Sequence, residues 1–247
     1  MNQALNHANE AVRAGLESLG DRASETLAAV KPRLRGWLHL GLWPLALAAG
    51  VVLIVLSPTA TTRVGSAVFA GSALLLFGVS AIYHTGSWSP RVWAFLRRFD
   101  HANIFVLIAG TYTPITLMLL EGTQRVVLLS TVWGCALLGV FFRVFWTDAP
   151  RWLYTPLYIG LGWSAVFFVP GFIDGAHRLL GTGTAIAVLV LVAAGGALYT
   201  AGGIVYGFKR PNPWPQWFGF HEIFHTFTVL AFVSHYLAVS LATYSLR

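Results

Sequence analysis

His221 and His225 stand at i and i+4, so on a helix both imidazoles project from one face, roughly 6 Å apart. Two imidazoles at that spacing can hold one Zn²⁺, with Zn–N distances of about 2.0–2.1 Å. His84 offers a third nitrogen, and water a fourth position. Three neutral histidines plus water is the open, catalytic type of zinc site, in which the bound water ionises near pH 7, about nine units below bulk water. Asp100 then fits as a carboxylate behind the ligands that orients this water, or as a general base. Ser80, one turn before His84 on the same face, can hydrogen-bond a reacting carbonyl or a site water.

Each of these residues also has a plainer reading. A histidine at the end of an apolar span is an ordinary interfacial residue, which covers His84 and His101 taken singly. Asp100 has Arg97 and Arg98 nearby as ion-pair partners. His235 falls on the stripe of His221 and His225, but about 15 Å along the helix from His225. That is too far to share an ion, so it reads as a hydrogen-bonded histidine inside the bundle. His7, His39 and His177 have no obvious partner. His221-Glu222-Ile223-Phe224-His225 also matches H-E-x-x-H, in which the glutamate is the general base of a zinc protease. An intramembrane metalloprotease therefore stays open, although Glu222 reads equally as a hydrogen-bond partner of a neighbouring helix end.

The elements that must position these groups are membrane spans. Of the 247 residues 56% are hydrophobic and 10% charged, with a mean hydropathy of +0.67; soluble domains carry roughly 25% charged residues. Seven apolar stretches are each long enough to cross a bilayer as a helix: 36–57, 64–84, 101–120, 126–146, 152–173, 183–206 and 217–244. Breakers and charges separate them, among them Ser89-Pro90-Arg91, Asp148-Ala149-Pro150-Arg151 and Asp174-Gly175. The fold expected is all-α, a seven-transmembrane-helix bundle over 36–247, multi-pass in the cell membrane. With the N-terminus cytoplasmic and the C-terminus outside, twelve Lys and Arg residues fall inside and four outside. In that topology His84 closes the second span, Asp100 and His101 open the third, and His221 and His225 open the seventh, all at one membrane level.

Residues 1–35 are polar, with Glu10, Glu17, Asp21 and Glu25 and no apolar h-region, so the first span is expected to act as the insertion signal. This segment reads either as an amphipathic helix on the inner leaflet or as a mobile tail. The basic residues are scattered between apolar runs rather than gathered in a patch, which argues against nucleic acid as a partner. Cys135 is the lone cysteine, which excludes an intramolecular disulfide framework; it reads as a buried, inert thiol. The lysines, Lys31 and Lys209, lie outside the spans, so no retinal-type Schiff base has a site.

Three separated motifs resemble the haemolysin III family: Ser80-Ala-Ile-Tyr-His84; Arg97-Arg98-Phe99-Asp100-His101 leading into Ala109-Gly110-Thr111-Tyr112-Thr113-Pro114; and His221-Glu-Ile-Phe-His225. That family stands with the progestin and adipoQ receptors, including the adiponectin receptors, and more distantly with alkaline ceramidases. The resemblance covers about residues 36–247. It implies a seven-helix bundle with a cytoplasmic N-terminus and zinc held by His84, His221 and His225. It also implies that Asp100 contacts the zinc-bound water and that Ser80 is the serine one turn before the first ligand. Family members with this arrangement are not known as proteases, which lowers the H-E-x-x-H reading.

The leading expectation is an integral membrane Zn²⁺ hydrolase of a lipid amide or ester, ceramidase-like, serving membrane lipid homeostasis. Its partners would be membrane lipids, with a lipid-like substrate between the helices and past Gly110–Pro114, where Pro114 loosens the third helix. The rival readings are a non-enzymatic sensor or receptor with structural zinc, and a pore-forming cytolysin.

Overall fold

The computed structural model describes residues 32–247, and among these seven helical segments are long and apolar enough to cross a membrane. They are α1 (Trp37–Val55), α2 (Ala60–Thr85), α3 (Pro90–Leu119) and α4 (Gly122–Phe145), then a fifth span in two pieces, then α7 (Thr182–Phe208) and α8 (Phe220–Tyr244). The fifth span joins α5 (Arg151–Gly162) to α6 (Val169–Leu180) through a 3₁₀ turn at Ser164–Phe168. No strand occurs among the described residues, only an isolated bridge between Trp214 and Phe218. The fold is an all-α membrane bundle. The amphipathic reading of residues 1–35 lies outside the described residues, apart from a turn at Pro32–Arg35.

Short connections force neighbouring spans to run antiparallel and pack side by side. The α3–α4 link is only Leu120-Glu121, and α2 starts on a cap in which the Thr59 hydroxyl accepts from the Thr62 amide at 3.1 Å. The spans pack as successive pairs, and α8 closes the bundle against α1, α2 and α3. α3 is the central strut, touching α2, α4, α5, α6 and α8, and 72% of its apolar window is buried, against 11% for the fifth span. Large apolar side chains such as Leu45, Leu138 and Phe167 face outward, as a lipid solvent requires.

Four details differ from the sequence reading. The third span begins at Pro90 rather than His101, because Pro90 occupies the first helical position, where its missing N–H costs nothing. Its first three turns carry Arg91, Arg97 and Arg98 beside exposed Trp93 and Phe95, an interfacial rather than apolar composition. Asp100 and His101 thus lie three turns into a long helix. Second, Asp174-Gly175 does not separate spans: α6 runs on to Leu180 and stops at Gly181, whose φ of +71° suits glycine. Third, α3 runs unbroken through Pro114, and the irregularity sits in the fifth span instead. There the Tyr112 hydroxyl donates to the Gly162 carbonyl at 2.6 Å and accepts from the Ala165 amide at 2.9 Å, satisfying backbone groups that lipid could not. Fourth, Cys135 is exposed, because α4 buries only the stripe Leu128, Val132, Ala136, Gly139 and Arg143.

Candidate metal centre

His84 lies in the last turn of α2, while His221 and His225 occupy the first two turns of α8. Residues 137 positions apart in sequence meet because α8 closes the bundle against α2. One nitrogen from each of the three rings falls within 4.8 Å of the others. The Nε2 atoms of His84 and His221 are 3.3 Å apart. Two nitrogens bound about 2.0–2.1 Å from one tetrahedral centre stand at nearly that separation. His225 Nδ1 is buried with no hydrogen-bond partner among the described residues. Ring nitrogens this close suit a shared cation better than they suit one another, so these residues fit a metal ion of the imidazole-preferring kind.

Gly36 sets this geometry from outside the ligand set. It caps α1 with φ +87°, and a Cβ added there would come 2.7 Å from His84 Cβ. Only a residue without a side chain lets the start of α1 close over His84.

Asp100 places Oδ2 3.7 Å from His84 Nε2 and 3.9 Å from His101 Nδ1. Ser80 neighbours it and shares the same cavity wall. The structure therefore brings Ser80, His84, Asp100, His221 and His225 to one end of the bundle. His101 is engaged otherwise. Its Nδ1 meets the Arg97 carbonyl at 2.7 Å, so it carries the proton there, and its Nε2 faces the Tyr206 hydroxyl at 3.2 Å. Tyr206 in turn meets Tyr154 at 3.2 Å.

Glu222 is held by partners outside the histidine cluster. One carboxylate oxygen accepts from Arg35 Nε at 2.8 Å and the other from the Gly219 amide at 2.8 Å. Both oxygens are committed, one to the start of its own helix α8 and the other to a cation, rather than to the neighbouring helix end that the sequence suggests. His235 is buried, but it stacks on Tyr199 at 5.7 Å and makes no hydrogen bond among the described residues, contrary to expectation.

The residue missed is His39. It is 2% exposed, both ring nitrogens lack hydrogen-bond partners among the described residues, and its ring stacks on His225. Its only sequence signal was a histidine inside an apolar run, the same signal that singled out His235.

His221 and His225 of the cluster stand at one end of a cavity of about 470 Å³, within the size range of small-molecule sites. His39, Ser80, Asp100, His221 and His225 line one end, and otherwise the walls are largely apolar. The cavity continues between α3, the fifth span, α7 and α8 as far as His235. On the fifth-span side its wall includes Trp163, whose indole N–H donates to Thr200 at 3.1 Å and ties that span to α7.

Residues 27–236 match the protein family described as Haemolysin-III related. The chain is 34% identical over 188 residues to the Hemolysin-3 homolog of Bacillus subtilis (strain 168), covering 75% of this chain and 81% of that one. It is 31% identical over 169 residues to Hemolysin-3 of Bacillus cereus, covering 67% and 73%. A more distant similarity, 28% over 188 residues, links it to Progestin and adipoQ receptor-like protein 1 of Caenorhabditis elegans, covering 70% of this chain and 42% of the worm protein. Together with the seven apolar spans, these matches make the chain a multi-pass protein of the cell membrane.

Proposed function

The chain belongs to the haemolysin III-related family, and from that premise we propose that it is a zinc-dependent hydrolase of an amide or ester bond in a membrane lipid. The observation that carries the reading is three histidine nitrogens within 4.8 Å of one another, two of the rings lining one end of a largely apolar cavity between the spans. The inside-positive charge bias supports an N-terminus in the cytoplasm and a C-terminus outside, so the site faces the inner leaflet.

A zinc ion held by His84, His221 and His225 would supply Lewis acidity to the substrate carbonyl and acidify its own water. The chain's residues do the rest. Asp100 takes the proton of the attacking water and returns it to the leaving amine or alkoxide. Ser80 donates a hydrogen bond to the carbonyl oxygen, where negative charge develops. The apolar walls hold the acyl chain and keep bulk water from the reacting carbon.

Hydrolysis is favoured over a purely structural zinc because structural sites are closed by four protein ligands. Here the group that can hold a metal among the described residues has three members, with a carboxylate next to it. The test is metal content of the detergent-purified protein beside its His225→Ala variant, followed by turnover of ceramides and long-chain acyl amides. About one zinc per chain, lost in the variant, with release of free fatty acid, is the expected result. Folded wild-type protein purified without chelator and carrying no zinc would overturn the reading.

A further inference from the structure

The cavity holds a second group of polar side chains far from the histidine cluster. Tyr199, Thr111 and His235 line it together, from three different helices. Helix rise gives their depth. His235 lies ten residues beyond His225, about 15 Å along α8, and Thr111 eleven beyond Asp100, about 16 Å along α3. Tyr199 lies seven residues before Tyr206, whose ring packs on His221, so it stands about 10 Å from the cluster end. The three helices thus deliver these groups to one band near the middle of the membrane.

The band is built and incompletely satisfied. The Tyr199 hydroxyl is buried and makes no full hydrogen bond among the described residues, its one side-chain polar neighbour being the Thr111 hydroxyl at longer range. Thr111 spends its proton on the Leu107 carbonyl at 2.8 Å, which leaves oxygen lone pairs free. His235 lies nearly parallel to the Tyr199 ring, at 19°, and space for it exists because position 195 is glycine: a Cβ there would come 2.6 Å from His235 Nε2. Other buried hydroxyls divide: Thr113 and Thr228 bond the carbonyl one turn back, while Thr116, Thr155 and Ser240 also lack a partner among the described residues, but none of these three stacks on a second polar ring. A plain hydrocarbon chain in this cavity would leave the Tyr199 hydroxyl with no more than its long contact to Thr111.

We infer that this band is a specificity subsite for an oxygen function partway along the substrate chain, and that the preferred ligand is a lipid with a hydroxylated acyl chain. The inference rests on the hydrolase reading for where the chain's carboxyl end sits. From there 15 Å of extended chain is about twelve bonds, at roughly 1.2 Å per bond. A hydroxyl at that point accepts from the Tyr199 O–H and donates to the neutral imidazole of His235.

The test uses fatty acids as product analogues, so it needs no turnover. Binding of tritiated 12-hydroxystearate and of stearate is measured on the purified full chain, wild type beside Tyr199→Phe, with zinc content determined on the same samples. Wild type should hold the hydroxy acid about tenfold more tightly, the gain from one well-made hydrogen bond. Tyr199→Phe should bind both acids as wild type binds stearate, and unchanged stearate affinity shows that the variant is folded. Equal affinity of wild type for the two acids overturns the subsite and leaves the metal reading intact. A preference that survives in Tyr199→Phe overturns the assignment as well. If neither acid binds, the subsite and the lipid substrate fall together, while the zinc content reports separately on the metal.

Discussion

The imidazoles of His39 and His225 lie face to face, ring centroids 3.9 Å apart and planes 15° from parallel. His39 also meets Phe77 edge-on at 5.0 Å, so its ring is held between α2 and α8. Its flat face restricts rotation of the His225 ring, which makes His39 a positioning residue for the candidate metal ligand.

His39→Phe keeps a flat ring in the stack and removes two buried nitrogens that lack hydrogen-bond partners among the described residues. It should retain zinc and be no less stable than wild type, because unbonded buried polar atoms cost stability. His39→Ala removes the restraint and should weaken zinc about 10- to 100-fold, the usual effect of losing a residue that orients a ligand. Competition with a chromophoric chelator reads both. The visible spectrum of the cobalt-substituted protein should change only in His39→Ala.

Asp100→Asn separates metal binding from chemistry. The carboxylate oxygen stands 3.7 Å from His84 Nε2, near the cluster but outside the three-histidine group. The variant should keep its zinc and lose turnover by about 10²- to 10⁴-fold, the range for a missing general base. Zinc analysis and fatty-acid release on one preparation check it. Full activity in Asp100→Asn would remove the assigned role.

Glu222→Gln distinguishes this site from a protease of the H-E-x-x-H type. Because both Glu222 oxygens serve Arg35 and the Gly219 amide, the variant should hold zinc and keep most of its activity. Its cost is to stability, about 1–3 kcal/mol for weakening a charge-assisted bond to a largely buried carboxylate. Thermal unfolding in detergent measures that loss. A collapse of activity at unchanged zinc content would return Glu222 to the role of base.

Gly36→Ala perturbs the centre without touching a ligand. The added methyl group meets His84 Cβ, and the φ of +87° is strained for alanine. Weaker zinc retention than wild type is expected, with the seven-span fold intact by circular dichroism. Unchanged metal affinity would show that His84 has room to shift.

Most of the architecture was legible in the sequence. Seven apolar stretches, their Pro, Gly and charged separators and the absence of a competing soluble composition determine an all-α membrane bundle, because a lipid solvent permits little else. The residues worth attention were legible for the same reason: Ser80, His84, Asp100, His221 and His225 are polar groups where burial or lipid makes polarity expensive. The i, i+4 spacing of His221 and His225 also survives into α8 unchanged, since it is a property of one helix.

What the sequence could not determine depends on contacts between helices. His39 and His235 carry the same local signal, yet one stacks on His225 and the other on Tyr199. Spans that are apolar nearly all round give no period from which to read the inward face, which is also why the sequence does not show that Cys135 lies on the exposed side of α4. Arg35 and Glu222 are 187 residues apart, and nothing in either segment names the other. The break in the fifth span depends on Tyr112 of α3 to satisfy Gly162 and Ala165. In the bilayer a backbone group freed by one helix must be bonded by another, so the location of that break, and of the cavity beside it, is decided only when the helices pack.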